Sequence, residues 1–319
     1  MNDLIISLTT YPKRYDYLLK CLDSIFSQSF FDKVSKFYIN IDDNLTEEDY
    51  QRYNELKKLN DKIEIQICPA KWKSANKLVW TYKKHHDDVI VCFDDDKNYH
   101  FNILENLYNE WLKHKDCIIA YEINPAVYIN DKLIYLNTVD LKLHQKEYGK
   151  YLSNACLFCP NCFSDLLFDY DIFYEISKAQ HDELWFWLVS TLNGTKTVGL
   201  DWTYSFCLDD HVCFEESEND LTNINCKKSE IDGYNSRIDA RFHSELKKIM
   251  DENPVEFFVD HSNVVAFLGN MQWLNSLYSG FRLVFHFDKY LEKSWAVSVI
   301  SALKKYKWRE VGLEWKSGY

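Results

Sequence analysis

Three aspartates in a row, Asp94, Asp95 and Asp96, follow the uncharged run Val89 to Phe93 in the stretch VIVCFDDDKNY. Adjacent carboxylates repel one another, so gathering them costs stability unless a cation is shared among them. The run before them predicts a buried strand over residues 88–93. In extended backbone, residues i and i+2 face one side. Asp94 and Asp96 are therefore expected to converge while Asp95 faces away. Two converging carboxylates make a half-site for a hard divalent cation with oxygen ligands, the rest of the shell coming from water and a ligand such as a diphosphate. The chain carries a formal net charge of −12. A metal would screen an anionic ligand from so acidic a protein.

Other residues gather at neighbouring positions of the same pattern. A second strand, KFYINI over 36–41, also ends in acids, Asp42 and Asp43, either of which can accept hydrogen bonds from a ribose or a base. The first strand, LIISL over 4–8, runs into TTYPKR. There Thr9 and Thr10 offer hydroxyls, and Arg14 can stack on a base or pair with a phosphate. The spacing of Cys156, Cys159 and Cys162 in CLFCPNC suggests a metal knuckle, but no second matching pair follows, so buried free thiols are expected instead. His181, His211 and His261 have no partner at metal-ligand spacing.

The elements that must position these groups alternate. Helical periodicity marks 15–28, 46–59, 74–86, 101–114, 181–194 and 236–250. Strands are expected at 63–67 and 117–121 as well, with a return strand near 195–202 and a long polar loop over 209–235. Strand–helix alternation predicts an α/β fold with a largely parallel central sheet flanked by helices. The break at Asn253–Pro254 divides the expectation into an α/β domain, 1–250, and a mainly helical C-terminal extension, 251–319. Hydrophobic residues make up 46% and charged residues 27%, a globular balance. The acidic charge excludes a general nucleic-acid binder. The first fifteen residues lack the apolar length of a signal peptide, and no apolar stretch is long enough for a bilayer, which leads to the expectation of a cytoplasmic protein with reduced thiols.

Taken in order, these segments resemble GT-A-type glycosyltransferases of family 2, notably bacterial ones that open with a strand and a TSYPxR-like loop. SLTTYPKRYDYLLKCLDSIFSQSF matches that opening, including Ser24 and Gln28 of an S-x-x-x-Q element. FYINIDDN matches the acidic second strand, KWKSANKL a lysine-bearing stretch, VIVCFDDDKNY the D-x-D motif and QHDELWFW an acidic pair before an apolar helix. Lys97 stands where an apolar residue is more usual. The resemblance implies transfer of a sugar from a nucleotide diphosphate sugar, with a UDP-sugar as the expected donor. The acceptor would be a glycan or a lipid-linked saccharide, in the synthesis of bacterial surface polysaccharide or lipooligosaccharide. It implies Mn²⁺ or Mg²⁺ on Asp94 and Asp96, and Thr9, Arg14 and Asp42 or Asp43 around the nucleoside. It also implies Lys77 against the base or a phosphate, and Asp182 or Glu183 as general base, with Asp182 preferred. Two rivals are a haloacid-dehalogenase-type phosphatase, which wants a small hydroxyl-bearing loop that DDDKNYH lacks, and a non-catalytic carbohydrate-binding module. Lys304, Lys305, Lys307 and Arg309, interleaved with apolar residues, add peripheral contact with an anionic membrane to the expected partners.

Overall fold

The structure is a computed structural model that describes residues 2–121, 123–129, 131–135, 145–151, 155–200, 212–213 and 228–315. The first half runs β1 (Leu4–Thr9), α1 (Tyr15–Phe26), β2 (Val34–Asp42), α2 (Glu47–Asn54), β3 (Ile63–Cys68), α3 (Val79–His85), β4 (Val89–Phe93), β5 (Lys97–Asn98), α4 (Ile103–Lys113) and β6 (Ile118–Ala120). The middle holds β7 (Ile123–Ile129), β8 (Lys132–Tyr135), β9 (Gln145–Glu147), β10 (Gly149–Tyr151), β11 (Ala155–Phe158), α5 (Tyr170–Ser177), α6 (Asp182–Leu192) and β12 (Thr197–Gly199). Then come β13 (Val212–Cys213), α7 (Lys228–Glu252), β14 (Val255–Val259), α8 (Val264–Gly269), α9 (Met271–Tyr278), β15 (Arg282–Phe287), α10 (Lys293–Leu303) and β16 (Glu310–Trp315).

Local chemistry explains these elements. In α1 the buried residues Leu18, Cys21, Leu22 and Ile25 recur at helical spacing and form one apolar stripe. Thr46 caps α2 by accepting the Asp49 N–H, and Glu47, Glu48 and Asp49 place negative charge at the positive end of that helix. Every residue of β4 is buried, as a strand covered on both faces must be.

An eleven-stranded sheet has the order β16-β15-β14-β9-β12-β6-β11-β4-β1-β2-β3. The expected largely parallel sheet flanked by helices is present. Only β9 and β11 run against the rest, each antiparallel to both neighbours. Parallel pairing of β4, β1, β2 and β3 brings the carboxyl ends of these four strands to one side. Ligands bind at such an edge in open α/β sheets.

The main core packs around this sheet, and α6 is its most buried helix, with Trp185, Phe186, Trp187, Leu188 and Val189 all at or below 1% exposure. Residues 255–315 carry the expected helices and add three parallel strands to them. Val255, Phe257 and Val259 of β14 and Leu283, Phe285 and Phe287 of β15 form a second core. On the opposite face of these strands His286 joins Glu256 (2.9 Å) and Glu314 (3.2 Å).

Two expectations need correction. The stretch 209–235 is not a loop throughout: it is helical from Lys228, and Val212–Cys213 pairs with Lys97–Asn98. Its polar composition masked a helix that seats Tyr234 against His181, with ring centroids 4.7 Å apart. His211 and the remainder of that stretch lie outside the described residues. The helix expected over 74–86 is broken: Ala70–Lys77 forms tight 3-10 turns with a kink at Lys73, and α3 starts only at Val79.

Candidate active site

Thr9 and Thr10 close β1, and Pro12 opens the short 3-10 turn Pro12–Arg14 that delivers Arg14 to the end of β4. The fixed φ of proline suits the first position of such a turn. Arg14 Nη1 lies 2.9 Å from Asp95 Oδ1 and Nη2 lies 3.3 Å from Asp96 Oδ2. One guanidinium thus grips two successive aspartates. The expected alternation fails at this point. The strand ends at Phe93 and the chain turns at Asp95 and Asp96, so Asp95 is drawn inward to 3% exposure rather than turned away.

Asp94 has other partners. Its Oδ1 is 3.1 Å from Lys77 Nζ and its Oδ2 is 3.3 Å from Lys97 Nζ. Its backbone is pinned too, the N–H donating to Tyr99 Oη at 2.8 Å and the carbonyl accepting from the Cys21 thiol at 3.2 Å. Ser24 and Gln28 explain the S-x-x-x-Q element. Ser24 Oγ accepts the Tyr99 N–H, and Gln28 donates to the His100 carbonyl while accepting the Leu104 N–H. Together they tie α1 to the chain that leaves the D-x-D.

Lys77 is buried at 8% exposure, where a solvated helix lysine was the alternative. Its Nζ lies 2.6 Å from Asp182 Oδ2 and 3.8 Å from Glu183 Oε1, which brings the start of α6 to the end of β4. Ser74, which sequence reasoning passed over, donates to Asp182 Oδ1 at 2.9 Å. Asn76, also missed, donates to Asp42 Oδ1 at 3.1 Å and accepts from the Trp80 indole. Asp43 Oδ1 accepts the Ala70 N–H, and Thr9 donates its hydroxyl to the Asn40 carbonyl. Thr10 is buried at 4% exposure.

The electrostatics follow from burial and pairing. Burial pushes Asp95 up to about 6, against the pull of Arg14 and Thr10. Burial and the charge of Asp94 raise Asp96. Burial alone would raise Asp94, but Lys77 and then Lys97 hold it below the ordinary carboxylate value. Glu183 is raised by burial and by Asp182, with Lys77 opposing. Burial raises Asp42, partly offset by Asn76.

Asp94, Asp95, Asp96, Asp182 and Glu183 face Arg14, Lys77 and Lys97 in this network. Five carboxylates thus face three directly paired cations, with Lys150 adding a more distant positive charge at Glu183, and the cluster stays net negative among the described residues. The surplus and the hard oxygen donors fit a divalent cation. Among the described residues no three His, Cys, Asp or Glu side chains form a metal-holding group.

The cysteine triplet is divided. Cys156 pairs with Cys92 across β11 and β4, while Cys162 lies beside Cys159 and Tyr82. All three are buried free thiols. His181 packs on Tyr234, and His261 bonds the Tyr290 carbonyl, away from the D-x-D.

A family model described as "Glycosyl transferase family 2" matches residues 6–170. The match spans β1 through the D-x-D and stops before Asp182. Among solved structures the chain is similar to the crystal structure of S. aureus TarS, at 16% identity and TM-score 0.41, over 63% of this chain and 35% of that one. It is also similar to the crystal structure of GalNAc-T7 with UDP, GalNAc and Mn²⁺, at 8% identity and TM-score 0.45, over 63% of this chain and 42% of that one. The chain thus spans less than half the length of either structure. No curated protein matches.

Proposed function

Because this chain belongs to glycosyl transferase family 2, we propose that it transfers a sugar from a nucleotide diphosphate sugar to a hydroxyl of a glycan or lipid-linked acceptor. The observation that carries the reading is the meeting of Asp94 with Asp182 and Glu183 around Lys77, at the carboxyl end of β4. A donor-side acid and a base-side acid would thereby be neighbours about one buried lysine. The family match includes the D-x-D and lends nothing to the phosphatase alternative.

Asp94 and Asp96 would hold Mn²⁺ or Mg²⁺, which supplies Lewis-acid stabilisation of a diphosphate leaving group. Asp42 and Asp43, fixed by Asn76 and the Ala70 N–H, would accept hydrogen bonds from the nucleoside. Arg14 is spent on Asp95 and Asp96, so its role is to orient those carboxylates rather than to stack on a base. Glu183 is the better candidate for the base. Asp182 is held by both Lys77 and Ser74, whereas Glu183 is more loosely paired and its affinity for a proton is raised, which suits proton abstraction from an acceptor hydroxyl.

UDP-sugar is the first donor to test, and the resemblance of the opening loop to bacterial enzymes supports an acceptor in surface polysaccharide or lipooligosaccharide synthesis. No helix among the described residues is long and apolar enough to cross a membrane. Contact with an anionic membrane from the cytoplasmic side is supported by the exposed Lys293 and Val297 of α10 and by Lys304 and Lys305 just beyond its end. A screen of sugar nucleotides with Mn²⁺, read as nucleotide release, tests the activity. Asp96→Asn should remove divalent-dependent donor binding and leave the fold intact. Undiminished binding would reject the metal assignment.

A further inference from the structure

Lys77 is gripped along its whole length. Its carbonyl accepts the Ser7 hydroxyl at 2.5 Å and the Cys92 thiol at 3.5 Å. Ser7 is itself fixed by Thr81 at 2.7 Å and Asn40 at 2.9 Å, all in the buried heart of β1, β2 and α3. At the other end the ammonium meets Asp182, Asp94 and Glu183. The backbone pays for this reach at Lys73, whose φ of 49° and ψ of −128° lie where side-chain-bearing residues are strained. That turn comes just before Ser74, so Ser74 and Lys77 hold both oxygens of Asp182 from one short segment.

A buried cation that touches an acid at the end of β4 and another at the start of α6 has two effects. It adds a polar tie between the end of β4 and the start of α6, whose apolar side already packs on the sheet through Phe186 and Phe158 of β11. It also occupies an oxygen that a metal on Asp94 would need. We propose that Lys77 is a positioning residue that holds the α6 carboxylates against the end of β4 and competes with a divalent cation for Asp94. The inference rests on the proposed glycosyl transfer, since it assigns Lys77 a place within that site. Lys97 sits on the second oxygen of Asp94 and remains there when Lys77 is removed, so the two lysines act separately.

The two effects have opposite signs, which a merely structural lysine would not produce. In Lys77→Met the loss of a positive charge beside Asp94 should tighten Mn²⁺ binding without donor by at least about tenfold. The same change loosens the first turn of α6, and kcat should fall on the order of 100-fold, the cost of a small misplacement of a reacting group. Lys77→Arg should recover part of kcat. Ser74→Ala loosens Asp182 without touching Asp94, so it should lower kcat and leave Mn²⁺ affinity unchanged.

Mn²⁺ calorimetry on the intact chain, together with steady-state kinetics, reads both quantities, and circular dichroism checks the fold. Equal or weaker Mn²⁺ binding in Lys77→Met overturns the competition, and unchanged kcat in both variants overturns the positioning. Should Lys77→Met not fold, Lys77→Gln and Ser74→Ala carry the same two tests. If the wild type releases no nucleotide from any donor, the proposed transfer fails, and the comparison of Mn²⁺ affinities still decides whether Lys77 competes for Asp94.

Discussion

Arg14 and Asp95 form an ion pair that ties the D-x-D segment to the turn after β1, Nη1 to Oδ1 at 2.9 Å, with both side chains largely withdrawn from solvent. Removing one partner of such a pair costs about 3–5 kcal/mol, because the other charge is left buried and alone. Arg14→Ala should therefore lower stability by about that amount near pH 8. The penalty should shrink toward pH 5. Asp95 already has a folded-state value of about 6, above its unfolded value, so the protein loses stability as pH rises through that range. Without Arg14 the value climbs further, and at low pH the carboxyl is neutral in either protein. Arg14→Lys keeps the charge but not the fork, so it should fall between the two. Urea titrations at pH 5 and pH 8 check this, and a penalty independent of pH would contradict it.

Glu147 is another buried acid with a displaced equilibrium. It is 4% exposed, accepts from Gln145 Nε2 at 2.8 Å, and burial pushes it up to about 8 despite nearby Lys196 and Tyr278. The folded protein then binds a proton that the unfolded chain releases near the ordinary glutamate value. Stability contributed by the neutral carboxyl is complete below that value and is lost as pH rises toward 8. Glu147→Gln keeps the acceptor and removes the charge. Thermal melts should show the variant level with wild type at pH 5 and more stable at pH 8; a variant less stable at pH 8 would count against this account.

Lys73 offers a test of strain. Its backbone conformation is one that glycine enters freely. Lys73→Gly should raise stability by about 1 kcal/mol, the relief of strain being partly offset by the freer unfolded chain. Donor affinity should hold, since the segment keeps its path. Chemical denaturation and calorimetry read the two quantities.

The basic outer side of the C-terminal segment can be tested directly. Reversing Lys304, Lys305 and Lys307 to glutamate should reduce binding to anionic vesicles on the order of 100-fold, at about 1 kcal/mol per lysine near the surface. Neutral vesicles should bind neither form. Equal flotation of the variant and wild type would remove the membrane from the list of partners.

Much of this architecture is legible in the amino-acid order. The first three strands and β4 begin and end within two residues of where alternation and apolar runs put them, because each is a short buried segment bounded by polar turns. The D-x-D at the end of β4 is legible for the same reason. What periodicity cannot convey is pairing across distance. Nothing local in ACLF says that β11 runs antiparallel between β4 and β6. Nothing in KWKSANKL shows that Lys77 points inward, since a lysine in a helical pattern belongs in water unless distant acids claim it. The contacts of Asp182 and Asp94 that claim it come from segments 105 and 17 residues further along. Asp95 was misplaced for a local reason: the rule of alternation was carried past Phe93, into a turn.

The place of β9 has a practical consequence for anyone who would shorten the protein. This three-residue strand lies between β12 and β14, with Gln145 and Glu147 both buried. A chain cut after residue 250 loses β14 and leaves β9 as a raw border with unpaired backbone donors and acceptors. Such a border is a template for pairing with another molecule. Residues 255–315 therefore cover the β9 border and carry the edge of the sheet out to β16, and trimming at the proline break would lay β9 bare instead.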